Sequence, residues 1–269
     1  AADGLGVDMS LVHYPFPDTA LVPDSGPTVA SRTTMVVGSS LYKAGREWRK
    51  KLEEFGKASA NASANASANT ASPASSSAQE LEGLLLDYLR KQGKSRVITS
   101  FELPEGVKWD QALFKGDAYP SYSWGCNVAE VEVDPLTLEI KLLSITASYD
   151  IGTVINPLLA KAQVEGGLTQ AIGYALMEDM GISEGEFTHD RMQSYIVPSS
   201  MDGCPMDISF IEFPYPHAKP GAKGVGEIPL DGLAPAIGNA VAAATGRRIK
   251  SLPITAEKLL ELLKDGDEK

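Results

Sequence analysis

Residues 127–134 read NVAEVEVD, and this octet indicates the architecture more firmly than any other part of the chain. From residue 129 onward apolar and acidic residues alternate with a period of two, which is typical of a strand with one buried face. Residues 134–137 (DPLT) have the composition of a turn, and residues 139–147 run back as a second strand. The sequence therefore predicts a β-hairpin or meander that begins near Tyr122.

Helices are predicted on both sides of this hairpin. Before it, apolar residues recur at intervals of three and four with Arg and Lys between them. After it, Asn156 and Pro157 supply an N-cap and a first-turn proline, and Gly246 supplies a helix stop. The mixture of strands and helices lacks regular βαβ alternation, so we expect an α+β fold with a mixed β-sheet packed by helices. The predicted helices cover residues 34–55, 81–89, 157–178, 230–245 and 255–263.

Residues 58–78 read ASANASANASANTASPASSSA, a low-complexity segment with no apolar face to bury. Such a segment is typical of a flexible linker or a disordered surface insert. It predicts three parts along the chain. Residues 1–56 and 95–269 are expected to belong to one domain, and residues 57–94 are expected to be a surface insert that carries a short helix.

Composition excludes several classes of function. The chain has 269 residues with 24 Lys plus Arg against 35 Asp plus Glu, a net charge of −11, so we expect no nucleic-acid partner. It has no run of 18 apolar residues and its first residues lack a signal-peptide pattern, so we expect no membrane partner and a cytoplasmic location. Cys126 and Cys204 are expected to be buried thiols. The missing initiator Met suggests an excerpt or a processed piece of a longer protein.

Three segments could carry chemistry. Residues 221–230 read GAKGVGEIPL, in which glycines allow close approach to a ligand and Glu227 stands at a helix start. A helix-start carboxylate can also be a simple dipole partner, and the run lacks the Lys-Ser/Thr of a phosphate-binding loop. Residues 25–34 (SGPTVASRTT) could hold a phosphate or merely cap a helix. In residues 163–167 (QVEGG), Gln163 could bond either the backbone or a polar ligand.

In this order, these segments and the hairpin resemble the C-terminal part of the molybdenum-cofactor subunit of the xanthine dehydrogenase and aldehyde oxidase family. The resemblance covers residues 8–55 and 101–263. Its most specific piece is the GAKGVGE run followed by Pro229 and Leu230, and residues 150–157 (DIGTVINP) add independent support. The fold it implies is part of the molybdopterin-binding domain of molybdenum hydroxylases.

The resemblance implies a molybdopterin-type cofactor whose molybdenum carries sulfido and oxo or hydroxo ligands. It implies that Glu227 is the general base, which takes the proton from a hydroxide on molybdenum before the oxygen attacks an electron-poor carbon. That carbon would belong to a purine, another N-heterocycle or an aldehyde. A pterin dithiolene holds the metal in this family, so no protein metal ligand is expected. The implied cofactor-binding residues are Ala30, Ser31, Thr33, Gln163, Gly224 and Gly226.

The chain departs from the family pattern in what it lacks. The family's glycine-rich pterin loop of the HGGxEMGQG type is absent, and so are iron–sulfur cysteine patterns and a flavin domain. The resemblance therefore implies that another chain or segment supplies the rest of the molybdopterin site, and that catalysis requires it. The resemblance also suggests three other partners. They are an iron–sulfur subunit or domain, a FAD subunit and a small-molecule substrate.

Two other classes of function compete with a hydroxylase. A non-catalytic structural subunit could retain the fold and complete the cofactor pocket of a partner chain. The presence of Glu227 together with Ser31 and Gln163 argues against it, because a decayed site would be free to lose any of them. A small phosphate- or nucleotide-binding protein is disfavoured because the glycine run lacks a phosphate-binding lysine and a preceding dinucleotide-type strand.

Overall fold

The structure, a computed structural model, describes residues 1–64, 78–217 and 219–267. The chain forms two compact units. The first unit comprises Ala1–Pro120 and Tyr215–Gly221, and the second comprises Ser121–Pro214 and Ala222–Lys269. The division of the chain into residues 1–56, 57–94 and 95–269 stays a prediction.

The first unit is mainly helical. Leu52 and Leu81, on its two long helices, are almost fully buried. Between the same helices the Tyr88 ring makes edge contacts with Trp48 and Phe55, at centroid distances of 5.5 and 5.2 Å. Its elements are α1 (Ala2–Leu5), a 3-10 turn (Met9–Leu11), α2 (Thr33–Ala64), α3 (Ala78–Gln92), β1 (Trp109–Asp110) and β2 (Lys115–Gly116).

Helix α2 corrects one prediction. The low-complexity segment was expected to be flexible from residue 58, but α2 continues through Ala64, so the expectation is wrong for residues 58–64. Alanine has the best intrinsic helix propensity, and extending an existing helix adds one hydrogen bond per residue without a new nucleus. Residues 65–77 lie outside the described part of the chain.

The second unit contains a three-stranded sheet with the order β3-β4-β7. β3 (Trp124–Val133) and β4 (Ile140–Asp150) form the predicted antiparallel hairpin, and β7 (Met206–Ile211) pairs with β4 in parallel. The carboxylate of Asp134 closes the turn by accepting the backbone N–H groups of Leu136 and Thr137 at 2.7 and 2.8 Å. The mixed sheet confirms the predicted α+β fold.

Helices supply part of the core of this unit. They are α4 (Pro157–Leu176), α5 (Ile228–Thr245) and α6 (Ala256–Asp267), and short strands β5 (Ile182–Ser183) and β6 (Glu186–Phe187) follow α4. The Asn156 side chain caps α4 by accepting the N–H of Leu159 at 3.0 Å, and Gly246 ends α5 in the left-handed conformation, as predicted. The buried core of this unit includes Ile145, Tyr149, Leu168, Ile172, Leu233 and Ile237.

Close contact between α4 and α5 depends on a glycine. A Cβ added at Gly167 would lie 2.9 Å from the Cβ of Pro229, nearer than real side chains approach. This contact brings the start of α5 against the middle of α4 and thereby fixes where residue 227 stands.

Two smaller findings concern exposure. Cys126 is exposed on β3 and Cys204 is partly exposed, both as free thiols, so the expectation of buried cysteines is wrong for Cys126. Its strand is at the sheet edge, and the burial alternation of β3 leaves residue 126 outside the core.

Within the described residues, no helix is both long and apolar enough to span a lipid bilayer.

Candidate active site

A cavity of about 340 Å³ lies where the start of α5 meets α4 in the second unit. It brings together three residues that the sequence singled out, namely Gln163, Gly226 and Glu227. They come from two separate motifs that are distant in sequence, and the packing of α4 on α5 joins them. The complete lining is Ala162, Gln163, Gly166, Gly167, Gln170, Gly226, Glu227 and Leu230.

Glu227 is the N-cap residue of α5, with φ −109° and ψ −28°. Its carbonyl accepts the N–H of Leu230 at 3.0 Å, which is the first turn of the helix. The N-terminal end of a helix carries a partial positive charge, which attracts an acidic side chain. Glu227 is exposed. The site formed by this chain is therefore open on the side of the carboxylate.

Gln163 holds the glycine segment in place. Its side-chain Nε2 donates a hydrogen bond to the carbonyl oxygen of Gly226 at 3.1 Å. The sequence left open whether this amide bonds the backbone or a ligand, and the structure shows a backbone contact. Gln163 thus orients the residue that directly precedes Glu227.

A buried ion pair fixes the same segment further upstream. The Lys223 ammonium donates to the Asp150 carboxylate at 2.6 Å, with both side chains less than one-tenth exposed. The second carboxylate oxygen of Asp150 accepts the backbone N–H groups of Gly152 and Phe213 at 2.9 and 3.3 Å. Lys223 also lies 5.1 Å from the centre of the Phe213 ring, a cation–π contact. Each charge is satisfied by several partners, as a buried pair requires.

Backbone contacts complete the anchoring of the glycine segment. Ala222 forms an isolated antiparallel bridge with Gly152, and the N–H of Lys223 donates to the carbonyl of Ile151 at 2.8 Å. The Ser123 hydroxyl donates to the carbonyl of Gly224 at 3.3 Å. Four of the five residues from 222 to 226 are therefore tied to β-structure or to α4, which makes the position of Glu227 well determined.

No role was predicted for Asp150, the partner of Lys223, although it begins the DIGTVINP segment. The signal that could have found it is an acidic residue at the end of a predicted strand. A carboxylate in such a position is seldom buried unless it is paired.

Residues of the sheet contact the start of α5. The Tyr149 hydroxyl donates a hydrogen bond to the side-chain oxygen of Asn127, and burial raises the pKa of Tyr149 to about 12. A Cβ added at Gly232 would collide with the side-chain nitrogen of Asn127. Gly232 therefore allows α5 to lie directly on β3.

Three further predicted residues lie in the first unit. Ala30 and Ser31 both have φ +53°, a left-handed conformation that is unusual for residues other than glycine, and Thr33 is the first residue of α2. The Arg32 guanidinium closes this loop by donating to the carbonyls of Pro27 and Ser25 at 2.9 and 3.0 Å. The predicted cofactor residues thus form two sets, one in each unit.

The lining of the cavity fits one edge of a pterin. A pterin ring carries several hydrogen-bond donors and acceptors, which the amides of Gln163 and Gln170 can match. A Cβ added at Gly166 would meet nothing within 4 Å, so this glycine leaves space open on the cavity wall. In the described part of the chain, no group of three or more His, Cys, Asp or Glu is arranged to hold a metal ion.

Comparison with known proteins identifies the family of the chain. Residues 1–203 match the molybdopterin cofactor-binding domain, and the chain belongs to that family. A probable xanthine dehydrogenase subunit of Bacillus subtilis is 32% identical over 255 residues, which cover 91% of this chain and 32% of that protein. The aldehyde oxidoreductase of Megalodesulfovibrio gigas is 30% identical over 261 residues, which cover 97% of this chain and 26% of that protein.

A solved structure supports the fold over nearly the whole chain. The aldehyde oxidoreductase of Desulfovibrio gigas superposes with a TM-score of 0.74 and 29% identity, covering 97% of this chain and 26% of that one. The resemblance to the xanthine dehydrogenase and aldehyde oxidase family, and with it a molybdopterin-binding fold, is confirmed. The chain spans about a third or less of the relatives described here. The roles of Glu227 and of the six cofactor-binding residues stay predictions.

Proposed function

We propose that the chain is the molybdopterin-binding part of a molybdenum hydroxylase, an oxidoreductase that inserts water-derived oxygen into an electron-poor carbon. The substrate would be a purine, another N-heterocycle or an aldehyde, because its relatives include a probable xanthine dehydrogenase subunit and an aldehyde oxidoreductase. The observation that carries the proposal is the cavity that Glu227 shares with Gln163 and Gly226.

Glu227 acts as the general base in this proposal. Its side chain stands at the N-terminus of α5 beside the cavity, and a carboxylate can accept a proton as a general base. Two contacts hold the backbone that precedes Glu227, namely the ion pair of Lys223 with Asp150 and the bond from Gln163 to Gly226. The position of Glu227 is therefore fixed before a substrate binds. When bound, the molybdenum cofactor supplies the oxygen-transfer and two-electron chemistry.

The residues proposed to hold the cofactor have different tasks. Gly224 and Gly226 keep side-chain bulk away from it, and the Gln163 amide contributes polar contacts. In the first unit, backbone N–H groups and hydroxyls at Ala30, Ser31 and Thr33 are suited to a phosphate or a pterin edge. We propose that residues 1–56 and 95–269 are two parts of the molybdopterin-binding domain.

The open side of the site supports a need for a further polypeptide. Glu227 is exposed, so a poorly hydrated pocket around it requires another surface that covers it. The chain also spans only 26 to 32% of the length of the two relatives. We propose that another chain or segment completes the pocket and that an iron–sulfur subunit, with a FAD subunit as a further candidate, carries electrons away. We propose a cytoplasmic location for this assembly.

The test is dye-linked turnover of the co-purified complex on a panel of aldehydes and N-heterocycles. Replacing the base by its isosteric amide, Glu227→Gln, should lower turnover by roughly 10² to 10⁴ while the molybdenum content per chain stays unchanged. Glu165→Gln is the matched control, because Glu165 lies two residues from Gln163 on α4 but pairs with Lys161 at 3.9 Å and does not line the cavity.

Two outcomes would contradict the proposal. Turnover of Glu227→Gln within about tenfold of the unaltered complex would remove Glu227 from the role of base. The alternative function, a non-catalytic subunit that completes a partner's pocket, would be correct if two results were found together. The Glu227→Gln complex would turn over normally, and a complex prepared without this chain would contain no molybdenum.

A further inference from the structure

A second and larger cavity of about 590 Å³ lies in the second unit beside the candidate active site. Its floor is α5, one wall is α4, and the other wall is residues 248–254, called the strap below. The two cavities share Gln170 and Leu230 at their rims. A cavity of this volume is within the range of ordinary small-molecule sites.

The strap is held in place by the protein itself. The N–H of Ile254 donates to the carbonyl of Ala175 on α4 at 2.7 Å. The Lys258 ammonium donates to the carbonyls of Leu252 and Pro253, each at 3.0 Å. The wall therefore exists before any ligand arrives, and binding need not bear the cost of ordering it.

Charge is distributed unequally along the cavity. Asp231 lines it near the start of α5, and Asn239 lines it eight residues later, a rise of about 12 Å along the helix. At the Asn239 end, the Arg248 guanidinium donates to the Asn239 side-chain oxygen at 2.7 Å, and Lys250 adds a second cation. A guanidinium has five N–H donors, so this bond orients Arg248 and leaves donors for a ligand.

Between the two charged ends the lining is mostly apolar. Leu230, Ala234 and Ile249 contribute aliphatic surface, and the Tyr174 ring is 56% exposed at the rim. Glu178 also lines the cavity, but its carboxylate accepts the Tyr195 hydroxyl at 2.6 Å. An apolar middle with an aromatic ring on one wall suits a flat aromatic body.

We propose that this cavity binds an aromatic carboxylate. The aromatic body would lie on the apolar floor against Tyr174, and the carboxylate would pair with Arg248 and Lys250. Arginine and carboxylate form strong paired hydrogen bonds. The acidic Asp231 end repels the anionic group and so fixes the orientation of the ligand. This inference does not depend on the molybdenum cofactor.

The test is calorimetric titration of the 269-residue chain with 2-naphthoate and with its neutral analogue 2-naphthamide. We expect 2-naphthoate to bind with a dissociation constant of about 1 mM or lower, as a ligand of this size does in a formed pocket. The amide should bind at least about tenfold more weakly, because it cannot pair as an anion with the two cations. This comparison uses the unaltered chain and does not require a variant to fold.

Variants locate the site. The double variant Arg248→Met/Lys250→Met should weaken 2-naphthoate at least about tenfold, and Tyr174→Ala should weaken both ligands. Arg247→Met is the matched control, because it removes a neighbouring cation that does not line the cavity, and its affinity should stay within about twofold.

Three results would overturn the proposal. No saturable binding of 2-naphthoate up to about 10 mM would show that the cavity is not such a site. Equal affinities of acid and amide would eliminate the anion pairing. An equal loss in Arg247→Met and in the double variant would mean that binding follows the overall charge and not the cavity.

Discussion

The two loops that carry the predicted site residues are similar in composition but differ in how they are held. Both are rich in small residues and both enter a helix, residues 222–227 before α5 and residues 25–32 before α2. The first is fixed by partners that are 63, 73 and 101 residues away in sequence. The second is closed by Arg32 through bonds to residues only five and seven positions away.

This difference indicates which of the two loops the fold determines. Long-range contacts place Glu227 against the core of the second unit, so its position persists as long as that unit is folded. Local contacts can shape the 25–32 loop, but they add little to the stability of the first unit. Substitutions in the loop before α5 should therefore change the free energy of unfolding. Substitutions in the loop before α2 should change the local order of that loop.

The largest effect is expected when the buried ion pair is broken. Lys223→Met leaves the Asp150 carboxylate buried without its countercharge and should destabilise the second unit by about 3–5 kcal/mol. Urea unfolding followed by circular dichroism measures it. Lys161→Met is the control, because its pair with Glu165 is half-exposed, and it should change stability by no more than about 0.5 kcal/mol.

If Lys223→Met were as stable as Lys161→Met, the ion pair would not be what anchors the segment before Glu227. The double variant Asp150→Asn/Lys223→Met should recover part of the loss, because it removes both charges and keeps an oxygen for the backbone donors of Gly152 and Phe213.

Two adjacent glycines provide the next test. Gly167→Ala places a Cβ against Pro229 and should destabilise the chain by about 1–3 kcal/mol. Gly166→Ala has open space and lies inside α4, so it should stabilise the chain by about 0.5–1 kcal/mol. Because its methyl group narrows the candidate cavity, Gly166→Ala should lower molybdenum content in the complex although the fold is stronger. Equal stability changes in the two variants would contradict the packing of α4 on α5 described above.

Sequence reasoning predicted most of the second unit. The hairpin, the capped start of α4 and the Gly246 stop of α5 follow from local patterns, and the structure contains all three. It missed β7, although residues 206–210 alternate between apolar and polar side chains. A six-residue strand gains its stability from pairing with β4, and such a partner is distant in sequence.

The site was predictable to a different extent. The resemblance supplied Glu227, Gln163 and the glycines, and the structure places Glu227, Gln163 and Gly226 around one cavity. The Asp150–Lys223 pair joins residues that are 73 positions apart, so a local pattern could single out Asp150 but could not identify Lys223 as its partner. The exposure of Glu227 was also not predictable from local sequence, because it depends on what surrounds the residue in three dimensions.

A smaller effect is expected at Tyr149, under the first turn of α5. Its pKa is raised to about 12 by burial, so the folded state favours the neutral phenol. This contribution to stability is fully present below about pH 10, the ordinary tyrosine value, and is lost as pH rises toward 12. Tyr149→Phe removes the hydrogen bond to Asn127, so near pH 7 it should be less stable by about 0.5–1.5 kcal/mol.

Above about pH 10 the free energy of unfolding of the unaltered chain should fall because the phenol of Tyr149 ionises. Tyr149→Phe has no phenol at this position, so the two free energies of unfolding should converge. Urea unfolding at several pH values between about 8 and 11.5 measures this, with Tyr14→Phe as the control because Tyr14 is 82% exposed. A constant difference between the unaltered chain and Tyr149→Phe across this range would mean that Tyr149 is not buried as described.

The smallest effect on stability, and the sharpest contrast with Lys223, is expected at Arg32. Arg32→Met removes the two bonds that close the loop before α2, but both are local and lie at the surface. The free energy of unfolding should change by about 0.5 kcal/mol or less, whereas amide hydrogen exchange in residues 25–33 should become faster. Arg46→Met, an exposed cation on α2, should change neither quantity. A global loss as large as that of Lys223→Met would show that both loops are determined by the fold, and the contrast between them would disappear.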